Sequence, residues 1–327
     1  MLILRGKYIL DMNVIGLDLG GTNSVFGIVN EQGEILAQTS VKTAAYADVE
    51  SYVDACSAAV KVIIGQTGGI SNVKAMGIGA PNANYYKGTI ECAPNIAWAK
   101  GIVPLADMFS KALGIPVAMT NDANAAAIGE MTYGVAKGMK NFIMLTLGTG
   151  VGSGIVVGGK LLYGHDGFAG ELGHVTMVRE GGRLCGCGRK GCLEAYCSAT
   201  GVARTAREIV ENSSEPTILR DIAPDKITSL DVSIAASKGD KVANEIYAFT
   251  GKMLGEACAD FAVFSSPEAF IFFGGMAKAG ELIMKPIRET YDACVMPVFR
   301  GKAKFLISSL DGAGAAVLGA SALGWEL

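Results

Sequence analysis

Asp122 stands at the junction between a strand-like and a helix-like segment. Residues 115–120 (IPVAMT) are mostly apolar, and an alanine-rich run follows Asn121 and Asp122. The partial positive charge at a helix N-terminus favours the ionised form of a carboxyl group, so Asp122 is a candidate to accept a proton from a hydroxyl group. The alternative is that this Asn/Asp pair only caps the helix. The local pattern leaves both interpretations open.

Three cysteines and one histidine form a second group with possible chemistry. Cys185, Cys187 and Cys192 lie in a glycine-rich loop, and His174 precedes them in the segment GELGH. Three thiolates and one imidazole suit a tetrahedral structural zinc ion. Cys197 is an alternative ligand, although it lies beyond the loop in a predicted helix. The spacing therefore predicts a zinc site in this loop.

Two glycine-rich turns are candidates for phosphate binding. DLGGTN (18–23) and LGTGVGSG (147–154) each place glycines and a threonine in a turn, where backbone N–H groups can approach a phosphate without hindrance from a Cβ atom. Neither turn has the spacing of a P-loop or of a dinucleotide-binding fingerprint. The two turns predict phosphate binding of another type.

These groups are carried by elements that read as alternating strands and helices. Apolar runs at 14–19 and 24–29 flank the first turn and predict a hairpin, and residues 142–162 repeat the construction around the second turn. The recurrence predicts two related domains. Further elements are predicted as helices at 48–65 and 104–113, strands at 77–82, 115–120 and 269–275, and a small-residue helix near the C-terminus. The pattern predicts an α/β fold.

Composition narrows the class of protein. The 327 residues exceed what one core usually organises, 18% are charged, and the net charge is −3 without a basic block. We therefore expect small-molecule partners rather than nucleic acid or a membrane surface. Residues 269–273 (AFIFF) are among the longest apolar runs, too short to span a bilayer. The eight cysteines, mostly scattered through apolar segments, suggest a reducing compartment, the cytoplasm.

With these residues assembled, the chain resembles the ROK family of sugar kinases and repressors. The resemblance rests on DLGGTN, NDANAAAIGE, GTGVGSGIV, GELGH and CGCGRKGC-LE, in this order. It implies a two-domain actin-like (ribonuclease H-like) ATPase fold with a cleft between the domains. The expected small domain spans 1–120 and is completed by a C-terminal helix at about 311–327; the expected large domain spans 121–310 and carries the zinc loop.

The resemblance also implies a role for each matched residue. Asp122 is the expected catalytic base, taking the proton of a sugar 6-hydroxyl group. Asp18 is expected to organise Mg²⁺ through water. The expected ATP-binding residues are Asp18, Gly20, Gly21, Thr22, Thr149, Gly150, Gly274 and Gly275. The expected sugar ligands are Asn95, Asn121, Asp122, Glu171, His174 and Glu194, and the zinc ligands are His174, Cys185, Cys187 and Cys192.

The implied activity is transfer of the ATP γ-phosphate to a hexose, with glucose preferred. An N-acetylglucosamine kinase, an N-acetylmannosamine kinase and a fructokinase remain alternatives, because the same ligands suit several pyranoses. A sugar-sensing regulator is disfavoured, since residues 1–13 are too few for a helix-turn-helix before the first predicted strand. A homodimer or higher homo-oligomer is expected; the exact oligomeric state, polyphosphate as donor and allosteric control stay open.

Overall fold

The computed structural model describes residues 12–310 and 314–327, which divide into two compact units. The first unit runs to Lys137, takes up His165–Gly167 and resumes at Leu310. The second unit comprises Gly138–Gly164 and Phe168–Ser309. Helix Asp122–Tyr133 thus packs with the first unit, whereas the family resemblance implied a boundary at residue 120. The predicted domain limits remain a prediction.

The first unit contains eight strands and four helices among its described residues. Its strands are β1 (Asn13–Leu19), β2 (Ser24–Val29), β3 (Ile35–Val41), β4 (Val73–Gly79), β5 (Ala83–Asn84), β6 (Thr89–Glu91), β7 (Ile102–Val103) and β8 (Val117–Thr120). Its helices are α1 (Val49–Gln66), α2 (Leu105–Leu113), α3 (Asp122–Tyr133) and α9 (Ala315–Trp325). The main sheet has the order β3-β2-β1-β4-β8, and β5, β6 and β7 form a small separate sheet.

The second unit is built on a sheet of the same design. Its strands are β9 (Phe142–Leu147), β10 (Val151–Val157), β11 (Lys160–Leu161), β12 (Ala269–Phe273) and β13 (Lys304–Ile307). Its helices are α4 (Glu194–Cys197), α5 (Ala199–Asn212), α6 (Ser229–Ser237), α7 (Lys241–Ser265) and α8 (Glu281–Cys294). The sheet order is β11-β10-β9-β12-β13.

The two main sheets also share their strand directions. In each, an antiparallel hairpin (β1–β2 or β9–β10) is extended by a third antiparallel strand on one side and by two parallel strands on the other. The α/β prediction is confirmed, and both predicted hairpins form. Their tips differ by one residue, because Leu19 pairs with Ser24 in the first hairpin and Leu147 with Val151 in the second.

Helix α9 packs on the main sheet of the first unit through very close backbone contacts. An ideal Cβ on Gly16 of β1 would overlap the carbonyl oxygen of Val317, and one on Gly77 of β4 would overlap that of Ala320. Glycine at these two strand positions therefore lets the helix backbone approach the sheet. The described part of the predicted C-terminal helix belongs to the first unit.

Each unit has its own apolar core. In the first unit, buried side chains of β1, β2 and β4 pack against α1 and α2, with Tyr52, Phe26 and Phe109 fully buried. In the second, β9 and β12 pack against α7 and α8. In the described part of the chain, no helix is long and apolar enough to cross a membrane.

Candidate active site

Two carboxyl groups lie near each other in the first unit. Asp18 is near the end of β1, and Asp122 is the first residue of α3. Burial, and then the charge of Asp122, raise the pKa of the Asp18 carboxyl group to about 6. Two such carboxylates repel each other in a partly buried place, and a divalent cation with oxygen ligands would relieve this repulsion. The donor set therefore fits Mg²⁺.

The structure separates Asp122 from the capping role. The N-cap of α3 is Asn121, whose Oδ1 accepts a hydrogen bond of 2.6 Å from the N–H of Asn124. Asp122 Oδ1 accepts a bond of 2.8 Å from the N–H of Ala123, and the side chain is exposed. Helix capping thus accounts for Asn121 but not for an aspartate at the next position.

The first glycine turn is closed by backbone contacts and lies beside Asn95. The N–H of Gly20 donates to the oxygen of Asn23 at 3.0 Å. A Cβ on Gly21 would come within 2.5 Å of the Asn95 backbone oxygen, so only glycine fits there without a shift. The structure therefore brings Gly21, a predicted phosphate-binding residue, next to Asn95, a predicted sugar ligand.

The second glycine turn, residues 148–150, rests on the start of α5. The N–H of Ala199 donates to the oxygen of Gly148 at 2.8 Å, and the hydroxyl group of Thr200 donates to the oxygen of Thr149 at 2.9 Å. A Cβ on Gly148 would meet nothing within 4 Å, whereas one on Gly150 would overlap Glu194 Oε2. Glycine at position 150 is thus required by a side chain of the protein itself, in addition to any phosphate.

Gly274 and Gly275 follow β12 and lie near the same turn. Gly274 has φ of +101°, and a Cβ there would come within 2.6 Å of the Leu147 oxygen. Gly275, by contrast, has open space around its Cβ position. Gly274 is therefore explained by chain packing at the end of β9, and Gly275 is the position that leaves room for a ligand.

The predicted zinc ligands converge. The ligand atoms of His174, Cys185, Cys187 and Cys192 lie within 4.8 Å of one another. Cys187 Sγ is 3.7 Å from Cys192 Sγ, and Cys185 Sγ is 3.6 Å from His174 Nδ1. Tetrahedral zinc places two sulfur atoms about 3.8 Å apart and sulfur and nitrogen about 3.6 Å apart. The distances and the Cys₃His chemistry both fit zinc.

The alternative ligand Cys197 lies elsewhere. It is fully buried, its thiol donates to the Thr250 oxygen at 3.7 Å, and burial raises its pKa. A thiol in such surroundings stays protonated and does not bind metal. Burial also raises the pKa of the Cys185 thiol to about 12, but this cysteine lies in the cluster, where a metal ion would favour the thiolate.

Two predicted sugar ligands contact the zinc cluster directly. His174 Nε2 lies 3.9 Å from Glu171 Oε2, while its Nδ1 faces Cys185, so the imidazole connects the cluster to Glu171. Glu194 Oε1 accepts from Cys185 Sγ at 3.4 Å, and its Oε2 accepts from the N–H of Val151 at 2.9 Å. Metal ligands are often oriented by such carboxylates. In the second unit the cluster, the two glutamates and the second glycine turn therefore form one connected group.

Sequence reasoning missed Ser153, which holds the segment carrying Glu171. Its buried hydroxyl group donates to the Gly170 oxygen and accepts from the N–H of Leu172 at 3.1 Å. The two bonds bracket Glu171 in the chain. The signal in the sequence was a polar residue in the buried strand β10. It was missed because residues 147–154 were interpreted only as a phosphate-binding turn.

The chain is similar to a known protein family and to curated proteins. The ROK family model matches residues 14–326. A glucokinase of Streptomyces coelicolor is 40% identical over 283 residues, covering 85% of this chain and 86% of the relative. A glucokinase of Halalkalibacterium halodurans is 38% identical over 317 residues, covering 95% and 93%.

A solved structure of a ROK family protein is also similar to this chain. The crystal structure of a ROK family glucokinase from Streptomyces griseus in complex with glucose and AMPPNP matches with a TM-score of 0.78 and 37% identity, covering 96% of this chain and all of that one. With the family match, this confirms the expected actin-like ATPase fold.

Proposed function

Because the chain belongs to the ROK family, we propose that it is a glucokinase, which transfers the γ-phosphoryl group of ATP to the 6-hydroxyl group of glucose. The proteins of Streptomyces coelicolor and Halalkalibacterium halodurans, whose similarity covers 85% and 95% of this chain, are glucokinases. The site observation that carries the proposal is the exposed Asp122 carboxylate at the start of α3, near Asp18, in a helix whose N-cap is the neighbouring Asn121.

Asp122 acts as the general base in this proposal. The Asp122 carboxylate accepts the proton of the hydroxyl group as that oxygen attacks phosphorus. Phosphoryl transfer depends mainly on positioning and on charge stabilisation. Mg²⁺, held through water near Asp18, would supply positive charge to the phosphate oxygens. Asp18 would supply the negative charge that holds the cation there.

The glycine turns supply the ATP site. We assign Gly20, Gly21 and Thr22 of the first turn and Thr149 and Gly150 of the second turn to the phosphates. Backbone N–H groups at such turns bind anionic oxygen without a competing side chain. Gly275 leaves space for the nucleoside beside Gly274, which shapes the chain there.

We assign six side chains to the sugar hydroxyl groups. They are Asn95, Asn121, Asp122, Glu171, His174 and Glu194. Hydroxyl groups need both donors and acceptors, and each unmatched partner costs affinity once water is excluded. The Oδ1 of Asn121 is used by the helix cap, so its Nδ2 group is the one that donates to the sugar.

Zinc has a structural part in the proposal. His174, Cys185, Cys187 and Cys192 would hold it as a closed set of four ligands with no position for a reactive water molecule. Its chemistry is to fix the loop, and with it Glu171 and Glu194, which contact His174 and Cys185. A cytoplasmic location belongs to the same proposal, because the thiolates must stay reduced and all eight cysteines are unpaired.

A hexose panel tests the activity. Coupled assays with ATP and Mg²⁺ should give the highest kcat/KM for glucose, with mannose, fructose, N-acetylglucosamine and N-acetylmannosamine well behind, because a pocket that hydrogen-bonds a hydroxyl group rejects analogues that alter it. The same assay with polyphosphate in place of ATP shows which of the two compounds donates the phosphoryl group. A preference for a 2-acetamido sugar or for fructose would contradict the glucose assignment. Phosphorylation of none of them would contradict the kinase.

The raised pKa of Asp18 predicts how the free energy of unfolding depends on pH. Burial and the charge of Asp122 raise the Asp18 pKa from 3.8 to about 6 in the folded state, so the folded protein binds more protons than the unfolded chain between these values. Without Mg²⁺, the free energy of unfolding should therefore fall as pH rises through this window. At pH 7 the free energy of unfolding of Asp18→Asn should exceed that of wild type by about 1 to 2 kcal/mol, allowing for solvent screening.

Urea unfolding between about pH 4 and pH 8 in metal-free buffer measures this effect. The stability gain of Asp18→Asn should be largest at pH 7 and above and should shrink as pH falls from about 6 towards 4, where Asp18 is already protonated in the folded state. Asp54→Asn, at an exposed position of α1, is the control and should show no such dependence. An Asp18→Asn protein no more stable than wild type at pH 7 would contradict the unfavourable burial of the Asp18 carboxylate and its repulsion from Asp122.

A further inference from the structure

Arg183 is a largely buried cation that the proposed function does not use. It lies at the start of the zinc loop, and its side chain is only 11% exposed. Its Nη1 donates to the backbone oxygens of Ala195 at 3.2 Å and Gly201 at 3.4 Å, and to the hydroxyl group of Thr205 at 3.0 Å. One side chain thereby contacts both α4 and α5.

Two further contacts strengthen this connection. The guanidinium carbon lies 4.7 Å from the ring centre of Tyr196, whose hydroxyl oxygen accepts from the N–H of Arg183 at 2.9 Å. Nη2 donates to Glu208 Oε2 at 2.5 Å, which compensates the buried charge. The residue is thus held by charge, by hydrogen bonds and by an aromatic face.

The contacts of Arg183 meet at the corner between α4 and α5. Ser198 ends α4 and caps α5, where its Oγ accepts from the N–H of Gly201 at 3.0 Å. Helix α4 spans only Glu194–Cys197, too short to be stable by itself. Its position must therefore be fixed by neighbours, and Arg183 contacts its second and third residues.

Helix α4 begins with Glu194, the carboxylate that accepts from Val151 at the second glycine turn. We infer that Arg183 is a positioning residue for sugar binding, which fixes α4 against α5 so that Glu194 stays directed at this turn. The inference rests on the proposed function, in which Glu194 binds the sugar. It requires arginine, because a lysine ammonium group cannot reach these separate acceptors in one plane or stack on Tyr196 in the same way.

The test compares Arg183→Lys with wild type in the full-length protein. We expect the dissociation constant for glucose, measured by calorimetry, to rise about ten-fold, the effect of losing one charge-assisted hydrogen bond. The KM for ATP and the zinc content should stay at the wild-type values. Amide hydrogen exchange at Cys197 and Ser198 should become faster, because α4 is less firmly held.

Two control variants separate positioning from general stability. Glu208→Gln removes the ion pair but keeps an acceptor and leaves the contacts of Arg183 with α4, so glucose affinity should fall much less than in Arg183→Lys. Asp240→Ala removes the N-cap of α7, where Asp240 accepts from the N–H of Ala243 at 3.0 Å, and lowers stability in the same unit without touching α4. Its glucose affinity should be unchanged.

Three outcomes would overturn the inference. Unchanged glucose affinity in Arg183→Lys, even with faster exchange, would leave Arg183 a purely structural residue. Loss of zinc together with glucose affinity would assign the effect to the metal loop instead of α4. An equal loss of affinity in Asp240→Ala would assign it to stability. If wild type binds no hexose, the proposed function fails, and unchanged exchange at α4 would then independently reject the role of Arg183.

Discussion

Asp122→Asn is expected to lower kcat for glucose phosphorylation by about 10²- to 10⁴-fold while glucose affinity stays near that of wild type. Asparagine keeps the size of the side chain and can still hydrogen-bond a hydroxyl group, but it cannot take the proton. The fold should be unaffected, because Asn121 caps α3 and an asparagine at 122 can still accept from the N–H of Ala123. Steady-state kinetics, calorimetry and thermal melting on one preparation measure the three quantities.

Asp48→Asn is the matched control for this substitution. Asp48 is the N-cap of α1, where its side chain accepts from the N–H of Ser51 at 2.8 Å, and asparagine caps a helix about as well. The same chemical change at this second helix start should leave kcat unchanged. A near-normal kcat in Asp122→Asn would show that the carboxylate is not the base, and a large loss in both variants would point to a general effect on the first unit.

Cys187→Ser is expected to have the second large effect, on metal content and on sugar affinity. Purified wild type should contain about one zinc per chain, since four ligands form a closed set. Serine removes one thiolate at an exposed position, so the loss of zinc is not confused with a cavity in the core. Glucose affinity should fall about ten-fold or more, because Glu171 and Glu194 contact ligands of the same cluster.

Elemental analysis and calorimetry measure both results. Cys294→Ser changes another exposed cysteine of the second unit, outside the cluster, and should keep zinc and glucose affinity. Active wild-type protein with far less than one zinc per chain would contradict the metal assignment. Cys187→Ser with reduced zinc but unchanged glucose affinity would contradict the coupling between the loop and the sugar ligands.

Much of the fold followed from local sequence patterns. The two hairpins, the helix after Asp122 and the small-residue C-terminal helix form where apolar periodicity and glycine turns predicted them. Such patterns report which face of an element is buried, and this information is encoded in neighbouring residues. The strand order did not follow from them, because parallel pairs such as β1–β4 join segments that are distant in the chain.

The cysteines show the same difference between what neighbouring residues encode and what depends on distant segments. The convergence of His174, Cys185, Cys187 and Cys192 was predictable, since these residues are close in sequence and have a characteristic chemistry. Outside this cluster, Cys56, Cys197 and Cys258 are buried, as is usual for cysteines in apolar segments, whereas Cys92 and Cys294 are exposed. Exposure depends on what packs over a segment, and a single segment does not carry that information.

The sequence by itself determined the chemical groups and the elements that carry them: a carboxylate at the start of α3, glycines at two hairpin tips and a Cys₃His set in one loop. Only the tertiary structure decided how these groups are used. It gave the helix cap to Asn121, placed Glu194 against the Cβ position of Gly150, and set Arg183 at the corner of α4 and α5. The physical reason is that residue type and short spacing act locally, whereas hydrogen bonds and close packing between distant segments exist only once the chain has folded.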